Sequence, residues 1–289
     1  MPHLFQEKQN HPEQIKLLRA SSSAYRKAKT GEITITYFLL FLSVAYPVVY
    51  FFVKNDVVKI VLFGCSFLIT ILIEIFSASF KGDTSKGAIF KEEFDTIVFN
   101  LPWKSTLKKP DHSEVVRFSQ QYDGAEIKNW YSPNLSGSIE QNSAIAILQH
   151  SNTSWDIELR KIYRKWLIVF IVSYSVVIFT LFIVLKIDGL TFFLLLYSLH
   201  LFFVHFISLI RGHSEVIEKR ETISTHLDEI IRSGKHITTH ELRDIQDEIY
   251  LTRQEPTKVP DFFFRRYKER LNSEAEEYIE EANRIYEAK

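Results

Sequence analysis

Residues 154–179 read SWDIELRKIYRKWLIVFIVSYSVVIF, and this stretch decides the fold. Its first half is rich in charged and aromatic residues, whereas no charged residue follows Trp166. Asp156 precedes Arg160 by four residues, a spacing that favours an ion pair on a helix. Helical periodicity also gathers the large apolar residues of the first half on one face: Trp155, Leu159, Ile162 and Trp166. The stretch therefore predicts one unbroken helix that is polar at one end and apolar at the other.

The chain contains four apolar runs, at residues 35–53, 60–80, 167–185 and 190–210, and Glu74 is their one charged residue. Each run is close to the ~20 residues that cross a ~30 Å hydrocarbon core as a helix. The links within each pair of runs, KNDVVK and KIDG, are short enough to allow only antiparallel hairpins. Buried helices of a soluble protein are the alternative, but these are usually shorter and keep a polar stripe.

These runs predict a mainly α fold, with a four-helix transmembrane bundle made of two helical hairpins. The polar segments are predicted to be helical or α+β. The Lys and Arg residues that flank the runs lie mostly on the side of the two termini, so the positive-inside rule places both termini in the cytoplasm. The predicted division is an amphipathic N-terminal helix (1–34), hairpin 1 (35–80), a cytoplasmic domain (81–166), hairpin 2 (167–210) and a helical tail (211–289).

Composition and motifs exclude several classes of protein. The formal net charge is zero, so a basic DNA- or RNA-binding protein is not indicated. The chain has one cysteine, Cys65, and it lacks a P-loop, a Gly-rich dinucleotide loop and an HExxH motif. We therefore expect no enzyme activity, no metal and no cofactor.

Three ionisable residues interrupt the apolar runs: Glu74, His200 and His205. Such groups usually face a bundle interior or water. They are candidates for a pore or gate. Alternatively, Glu74 reaches the membrane interface, and the two histidines are neutral and hydrogen-bonded to a neighbouring helix.

The segment 81–153 carries large aromatic residues beside turn residues, as in NWYSPNLSG at 129–137. Flat aromatic side chains with nearby Arg or Lys can stack on a nucleotide. The alternative is that Trp130 and Tyr131 wedge this segment against another helix.

Seven short blocks, taken in order, resemble the SMODS-associated four-transmembrane effector family. They cover nearly the whole chain, and the four apolar runs lie in matching places. The blocks are EKQN (7–10), LLRASSSAYRKAK (17–29), FDTIVFNLPW (94–103), NWYSP (129–133), QHSNTSWDIELRKIY (149–163), LRDIQDEIYLTR (242–253) and VPDFFFRRYKER (259–270).

The resemblance implies a multi-pass effector of bacterial antiphage defence in the inner membrane. Such an effector binds a cyclic di- or trinucleotide, forms a homo-oligomer and disrupts or permeabilises the lipid bilayer. Because this ligand brings phosphates and flat bases, its site needs basic and aromatic side chains. The candidates are Trp130, Tyr131, Arg160, Arg164, Arg253, Arg265 and Arg266.

Two other functions stay open. A transporter or channel subunit also fits four spans, although transporters often have Gly- or Pro-broken spans and midplane polar sites. A membrane-tethered scaffold that binds a protein through its cytoplasmic part is the third.

Overall fold

The computed structural model describes residues 4–53 and 55–287. This part of the chain is mostly helical and contains no strand, so the helical alternative, rather than the α+β one, is found for the polar segments. The helices are α1 (Leu4–Lys8), α2 (Pro12–Phe52), α3 (Asp56–Phe99), α4 (His112–Gln120), α5 (Gln141–Val184), α6 (Gly189–Ser198), α7 (His200–Ser233), α8 (Thr239–Arg253) and α9 (Asp261–Glu287).

The quoted stretch lies within α5, and the prediction of one unbroken helix is confirmed. The N-terminal part of α5 is buried against other helices, for example at Ile147 and Leu159. Its C-terminal part leaves large apolar side chains exposed, including Val176 and Ile183. An exposed apolar surface of this kind suits contact with lipid rather than water.

Two described helices, α2 and α5, are long and apolar enough to cross a membrane. A third span is formed if α6 and α7, which meet at an angle of 47°, count as one. The second predicted span, residues 60–80, lies within α3, where several side chains fall outside the described residues, and it is not among these candidates. The complete four-helix bundle therefore stays a prediction.

The sequence predicts one helical span at 190–210, whereas the structure divides this run into α6 and α7, with a bend at Leu199. Two side chains compete for backbone carbonyl groups at the bend. The Ser198 hydroxyl donates to the Leu194 carbonyl at 2.9 Å, and His200 Nδ1 lies 2.6 Å from the Tyr197 carbonyl. Side chains inserted into a helical hydrogen-bond ladder bend helices, which explains the difference.

The polar halves of the helices pack into one helical body, which we call the polar body. Its hydrophobic core includes Phe90, Phe94 and Leu148, all at most 1% exposed. Within it α2 and α3 pack closely: the ring of Phe80 covers Gly31, where a β-carbon would overlap it. The close approach explains why glycine occurs in the middle of a helix at this point.

Helix α9 runs antiparallel to the polar half of α5. Phe263, near its start, has its ring centroid 4.9 Å from that of Tyr163. Further along, the Trp155 indole N–H donates to Asn272 at 3.0 Å, and the rings of His150 and Tyr278 stack at 4.1 Å. The start of α9 therefore lies beside the part of α5 where the sequence turns apolar.

Candidate functional site

The first of two buried charge clusters joins α3 to α8. We call it the body cluster: Lys91, Glu92, Asp95, Arg243 and Arg253. Arg253 Nη1 lies 2.6 Å from Asp95 Oδ2, and Arg243 Nη2 lies 2.5 Å from Glu92 Oε1. Lys91 Nζ lies 2.8 Å from Asp95 Oδ1. All five are at most 8% exposed, so losing one partner would leave a buried charge uncompensated.

The turn-rich segment before α5 is attached to this cluster. The Tyr131 hydroxyl donates to Asp95 Oδ1 at 2.6 Å, and the Tyr131 N–H donates to Gln9 at 2.8 Å. The Lys91 ammonium lies 4.4 Å from the ring centroid of Trp130 and 4.2 Å from that of Phe94. Contacts of this kind between a cation and an aromatic face are attractive.

Burial and ion pairing act against each other in the body cluster. Burial lowers the pKa of Lys91 to about 7, although Asp95 favours its charged form. Burial also acts to raise the pKa of Asp95, but Arg253 and Lys91 outweigh it and hold that pKa below its ordinary value. Asp95 is therefore the fixed negative charge around which the cluster is built.

The second cluster, which we call the boundary cluster, joins α5, α7 and the segment between α8 and α9: Asp156, Arg160, His213, Arg220 and Lys258. Asp156 Oδ2 lies 2.5 Å from Arg160 Nε and 3.0 Å from Arg220 Nη1. Arg160 Nη1 lies 3.1 Å from His213 Nδ1. The helical ion pair predicted between Asp156 and Arg160 is confirmed.

The segment 254–260 is held in place by this cluster. Arg160 Nη1 donates to the Thr257 carbonyl at 3.0 Å. The Lys258 ammonium donates to the carbonyl groups of Glu255 at 2.7 Å and Arg253 at 3.2 Å, and the Lys258 N–H donates to Glu32 at 3.4 Å. Arg253 of the body cluster is the last residue of α8, so this segment, which follows it directly, connects the body cluster to the boundary cluster.

The boundary cluster has more basic than acidic groups. Asp156, which is half-buried, pairs with both Arg160 and Arg220. Within the described residues the Lys258 ammonium binds backbone carbonyl groups and no carboxylate, whereas Glu32 accepts from the Lys258 backbone N–H. Burial, followed by the charge of Arg160, lowers the pKa of Lys258 to about 7. His213 Nε2 and Thr257 Oγ1 are buried without a hydrogen-bond partner among the described residues. The boundary cluster therefore has too few acidic groups for its basic ones, and it contains buried polar atoms without hydrogen-bond partners in the described part of the chain.

The boundary cluster lies close to the ends of three apolar runs. Glu32 comes three residues before the apolar run that begins at Ile35. Arg160 comes seven residues before the run that begins at Leu167. His213 comes three residues after the run that ends at Ile210. A rearrangement of its ion pairs would act on three helices at the point where each leaves the polar body.

The structure divides the seven predicted ligand residues among different surroundings. Tyr131 and Arg253 meet at Asp95 in the body cluster, whereas Arg160 belongs to the boundary cluster. Arg164 is half-buried and donates to Ser214 at 3.3 Å. The remaining three are exposed: Trp130, Arg265 and Arg266.

The three predicted pore residues are also separated. Glu74 is exposed on α3, and His200 lies at the bend between α6 and α7. His205 Nε2 lies 2.8 Å from the Thr36 hydroxyl on α2. This is the hydrogen bond to a neighbouring helix that the sequence offers as the alternative to a pore role. The part of the chain that the structure describes holds no group of three or more potential metal ligands.

Sequence reasoning missed most charged residues of both clusters: Lys91, Glu92, Asp95, Arg220, Arg243 and Lys258. A local signal did exist in KEEFD at 91–95, because Lys91 and Asp95 stand four residues apart on a helix that is otherwise apolar on that side. The partners on α8 lie about 150 positions away along the chain, and local spacing carries no sign of them.

Comparison with known proteins gives two matches and one absence. The family described as the SMODS-associating 4TM effector domain matches residues 5–282. A curated relative from Bacillus cereus (strain VD146), described as a probable CBASS effector molecule, is 31% identical over 166 residues. That alignment covers 54% of this chain and 55% of the relative, so the chain spans about half the length of the curated relative that it matches. No solved structure matches.

Proposed function

We propose that this chain, which belongs to the SMODS-associating 4TM effector family, is an antiphage membrane effector that a cyclic oligonucleotide activates to permeabilise the bacterial inner membrane. One observation carries the proposal. Helix α5 holds Asp156 and Arg160 of the boundary cluster and continues without a break into an apolar segment long enough to cross a membrane. A change made at the cluster is thus transmitted to the bilayer by a single stiff element.

The ligand chemistry is that of a cyclic di- or trinucleotide. Its phosphates would pair with arginine side chains, and its bases would stack on aromatic rings. The exposed indole of Trp130 is available for stacking, and the Lys91 ammonium lies 4.4 Å from its ring centroid. In this conformation Arg160 and Arg253 are engaged by Asp156 and Asp95, so binding at either requires exchange of an internal carboxylate for a phosphate.

The proposed activation step is such an exchange at the boundary cluster. A phosphate that pairs with Arg160 would weaken its contacts to Asp156 and the Thr257 carbonyl. The segment 254–260 would then be released from α5, and α5 could tilt or rotate relative to α7. A ligand shifts such an equilibrium only by its difference in affinity for the two states, and the uncompensated basic charge of the boundary cluster supplies that difference.

Membrane permeabilisation requires more than one copy of the chain. Four spans are too few to enclose a wide aqueous path, so the proposal includes a homo-oligomer. Helix α5 presents an exposed apolar face to the membrane, including Val172, Val176 and Phe179, which would then meet either lipid or a second copy.

The test uses full-length protein in proteoliposomes filled with a self-quenched dye. Cyclic di- and trinucleotides are supplied on both sides of the membrane, with the linear forms as controls. We expect one cyclic species to bind and to release the dye. Arg160→Gln should abolish release, whereas Arg117→Gln, which removes an exposed arginine of α4, should not.

Other outcomes favour the other functions. If no cyclic nucleotide binds in a calorimetric titration and the dye is retained, the proposal is wrong and a protein-binding scaffold is favoured. Dye release that occurs at the same rate without any nucleotide would favour a constitutive channel.

A further inference from the structure

The exposed side of the first turns of α9 forms a cationic and aromatic patch at the edge of the membrane. Phe262 is 69% exposed, and Arg265 and Arg266, one turn further on, share its face of the helix. Neither arginine forms an ion pair or hydrogen bond within the described ranges. Lys268 adds positive charge along the same part of the helix, whereas Arg270, further along, pairs with Glu274 at 3.3 Å.

Two contacts fix the height of this patch relative to the membrane helices. The ring centroid of Phe263 lies 4.9 Å from that of Tyr163 and 6.5 Å from that of Trp166, directly before the apolar run of α5. Asp261 pairs with Lys29 at 2.5 Å, six residues before the apolar run of α2. The first turn of α9 therefore lies beside two helices at the point where both turn apolar.

The arginine side chains reach the lipid headgroups from this height. With a rise of about 1.5 Å per residue, Arg265 and Arg266 lie about 3–5 Å along the helix from Phe263, in the direction of the polar body, so their long side chains extend back toward the membrane. The headgroup layer on each side of the hydrocarbon core is about 5–7 Å thick. We propose that this patch, Phe262 with Arg265 and Arg266, binds the phosphate of anionic phospholipids in the adjacent leaflet, with the Phe262 ring inserted at the acyl boundary.

The charge of the patch matches that partner. Along α9, the acidic residue nearest to Phe262 is Asp261, which Lys29 already engages, and Glu269 is the next acidic residue. Basic side chains close to a membrane surface attract anionic lipids, and an exposed aromatic ring next to them is stable at an interface rather than in water.

A nucleotide is the other phosphate-containing partner, and the geometry disfavours it here. Ser132, next to the aromatic pair Trp130 and Tyr131, contacts Glu276 of α9 at 2.9 Å. Glu276 is ten residues beyond Arg266, which is about 15 Å along the helix. The arginine pair and the aromatic pair are therefore too far apart to hold one base and its own phosphate.

The test titrates the purified full-length chain in detergent with phosphatidylglycerol or phosphatidylcholine and counts bound lipid by native mass spectrometry. For the double variant Arg265→Gln/Arg266→Gln we expect the affinity for phosphatidylglycerol to fall about thirty-fold and that for phosphatidylcholine to stay the same. The matched control is Arg270→Gln/Arg284→Gln, which removes the same charge from α9 further from the boundary and should change the affinity less than three-fold.

A second measurement follows Phe262 itself. With Cys65→Ser and Phe262→Cys, a bimane label at position 262 should be quenched by brominated acyl chains in vesicles that contain one quarter phosphatidylglycerol. Unchanged phosphatidylglycerol affinity in the double arginine variant overturns the proposal. Loss of cyclic-nucleotide binding by that variant, with lipid affinity intact, would instead assign the patch to the ligand. The lipid titration and the quenching measurement need no nucleotide, so a negative result in either would leave the proposed function standing.

Discussion

The two buried charge clusters are built from the same residue types but differ in how well their charges are matched. In the body cluster two arginines and a lysine face Glu92 and Asp95, and Arg243 also pairs with Asp247 at 2.6 Å. In the boundary cluster the two arginines share the half-buried Asp156. The Lys258 ammonium has only backbone carbonyl groups as partners among the described residues, with Glu32 bound to the Lys258 backbone N–H. The body cluster lies within the polar body, whereas the boundary cluster lies where three helices turn apolar.

This difference assigns different roles to the two clusters. Matched, fully buried pairs fix one arrangement, because any other arrangement leaves charge unpaired in a region of low dielectric constant. A cluster with surplus basic charge can accept a further anion and adopt a second arrangement. We therefore expect mutations in the body cluster to change stability, and mutations in the boundary cluster to change the response to ligand.

The largest expected effect on stability comes from Asp95→Asn. It leaves Arg253 and Lys91 buried without their shared carboxylate, which should lower the free energy of unfolding by about 3–5 kcal/mol. Thermal unfolding in detergent measures the loss. Glu158→Gln is the control, because it removes an exposed pair with Lys161 and should cost about 0–1 kcal/mol. Equal losses in the two variants would contradict the role of the buried body cluster in stability.

The next effect tests α5 as the coupling element. Lys165 and Ile168 are exposed, so changing both to Gly adds flexibility at the boundary without removing a core side chain. The expected cost is about 2 kcal/mol relative to the Ala/Ala control. Nucleotide affinity should be retained while ligand-triggered dye release is lost. Release at the wild-type ligand concentration would show that the signal travels through α7 or through assembly.

Placing the hinge required the structure. From the sequence, Tyr163 and Arg164 are the natural positions, since they stand between charged and apolar residues. In the structure Tyr163 is 6% exposed and its ring meets that of His213 edge to face at 5.0 Å, so a glycine there would also open the core. Helical periodicity identified the helix, but burial depends on α7 and α9, which are distant in sequence.

The same limit explains what sequence reasoning found in the candidate site. It identified Arg160 and its partner Asp156, because their spacing on one helix is local. It also selected Tyr131 and Arg253 by residue type, without any sign that both bind Asp95. The bend at Leu199 was missed because Ser198 and His200 look ordinary in an apolar run, and their competition for carbonyl groups shows only in three dimensions.

The third effect is a pH dependence of stability that Lys258 causes. Its amine has a pKa of about 7 in the folded protein and about 10.5 when unperturbed, so between these values unfolding takes up a proton. Stability should therefore rise with pH over this window, by up to about 1.4 kcal/mol per pH unit, and be insensitive to Lys258 below pH 7. The charged groups that face the amine are Glu32, Asp156, Arg160 and Arg220.

The difference between wild type and Lys258→Met isolates this contribution. Denaturation curves measured at each pH give the free energy of unfolding of both proteins. That of the wild type should rise relative to that of the variant as the pH increases from 7 to 10. If the free energies of unfolding of the two proteins change with pH in parallel, the amine stays charged in the folded protein, and the boundary cluster carries more positive charge than proposed.

The smallest effect on stability is expected at Trp130, the exposed aromatic residue beside the body cluster. Trp130→Ala removes a ring 4.4 Å from the Lys91 ammonium, which should cost about 0.5–1 kcal/mol of stability. If the indole stacks on a base of the ligand, the same change should weaken binding by about 1–3 kcal/mol, which is about 5- to 150-fold.

Trp103→Ala is the comparison, because the Trp103 indole N–H is already bonded to the Leu107 carbonyl at 2.6 Å and should contribute to folding rather than to binding. A Trp130 variant that loses several kcal/mol of stability and keeps its nucleotide affinity would identify the ring as a wedge between helices, and ligand recognition would then have to be sought at the boundary cluster alone.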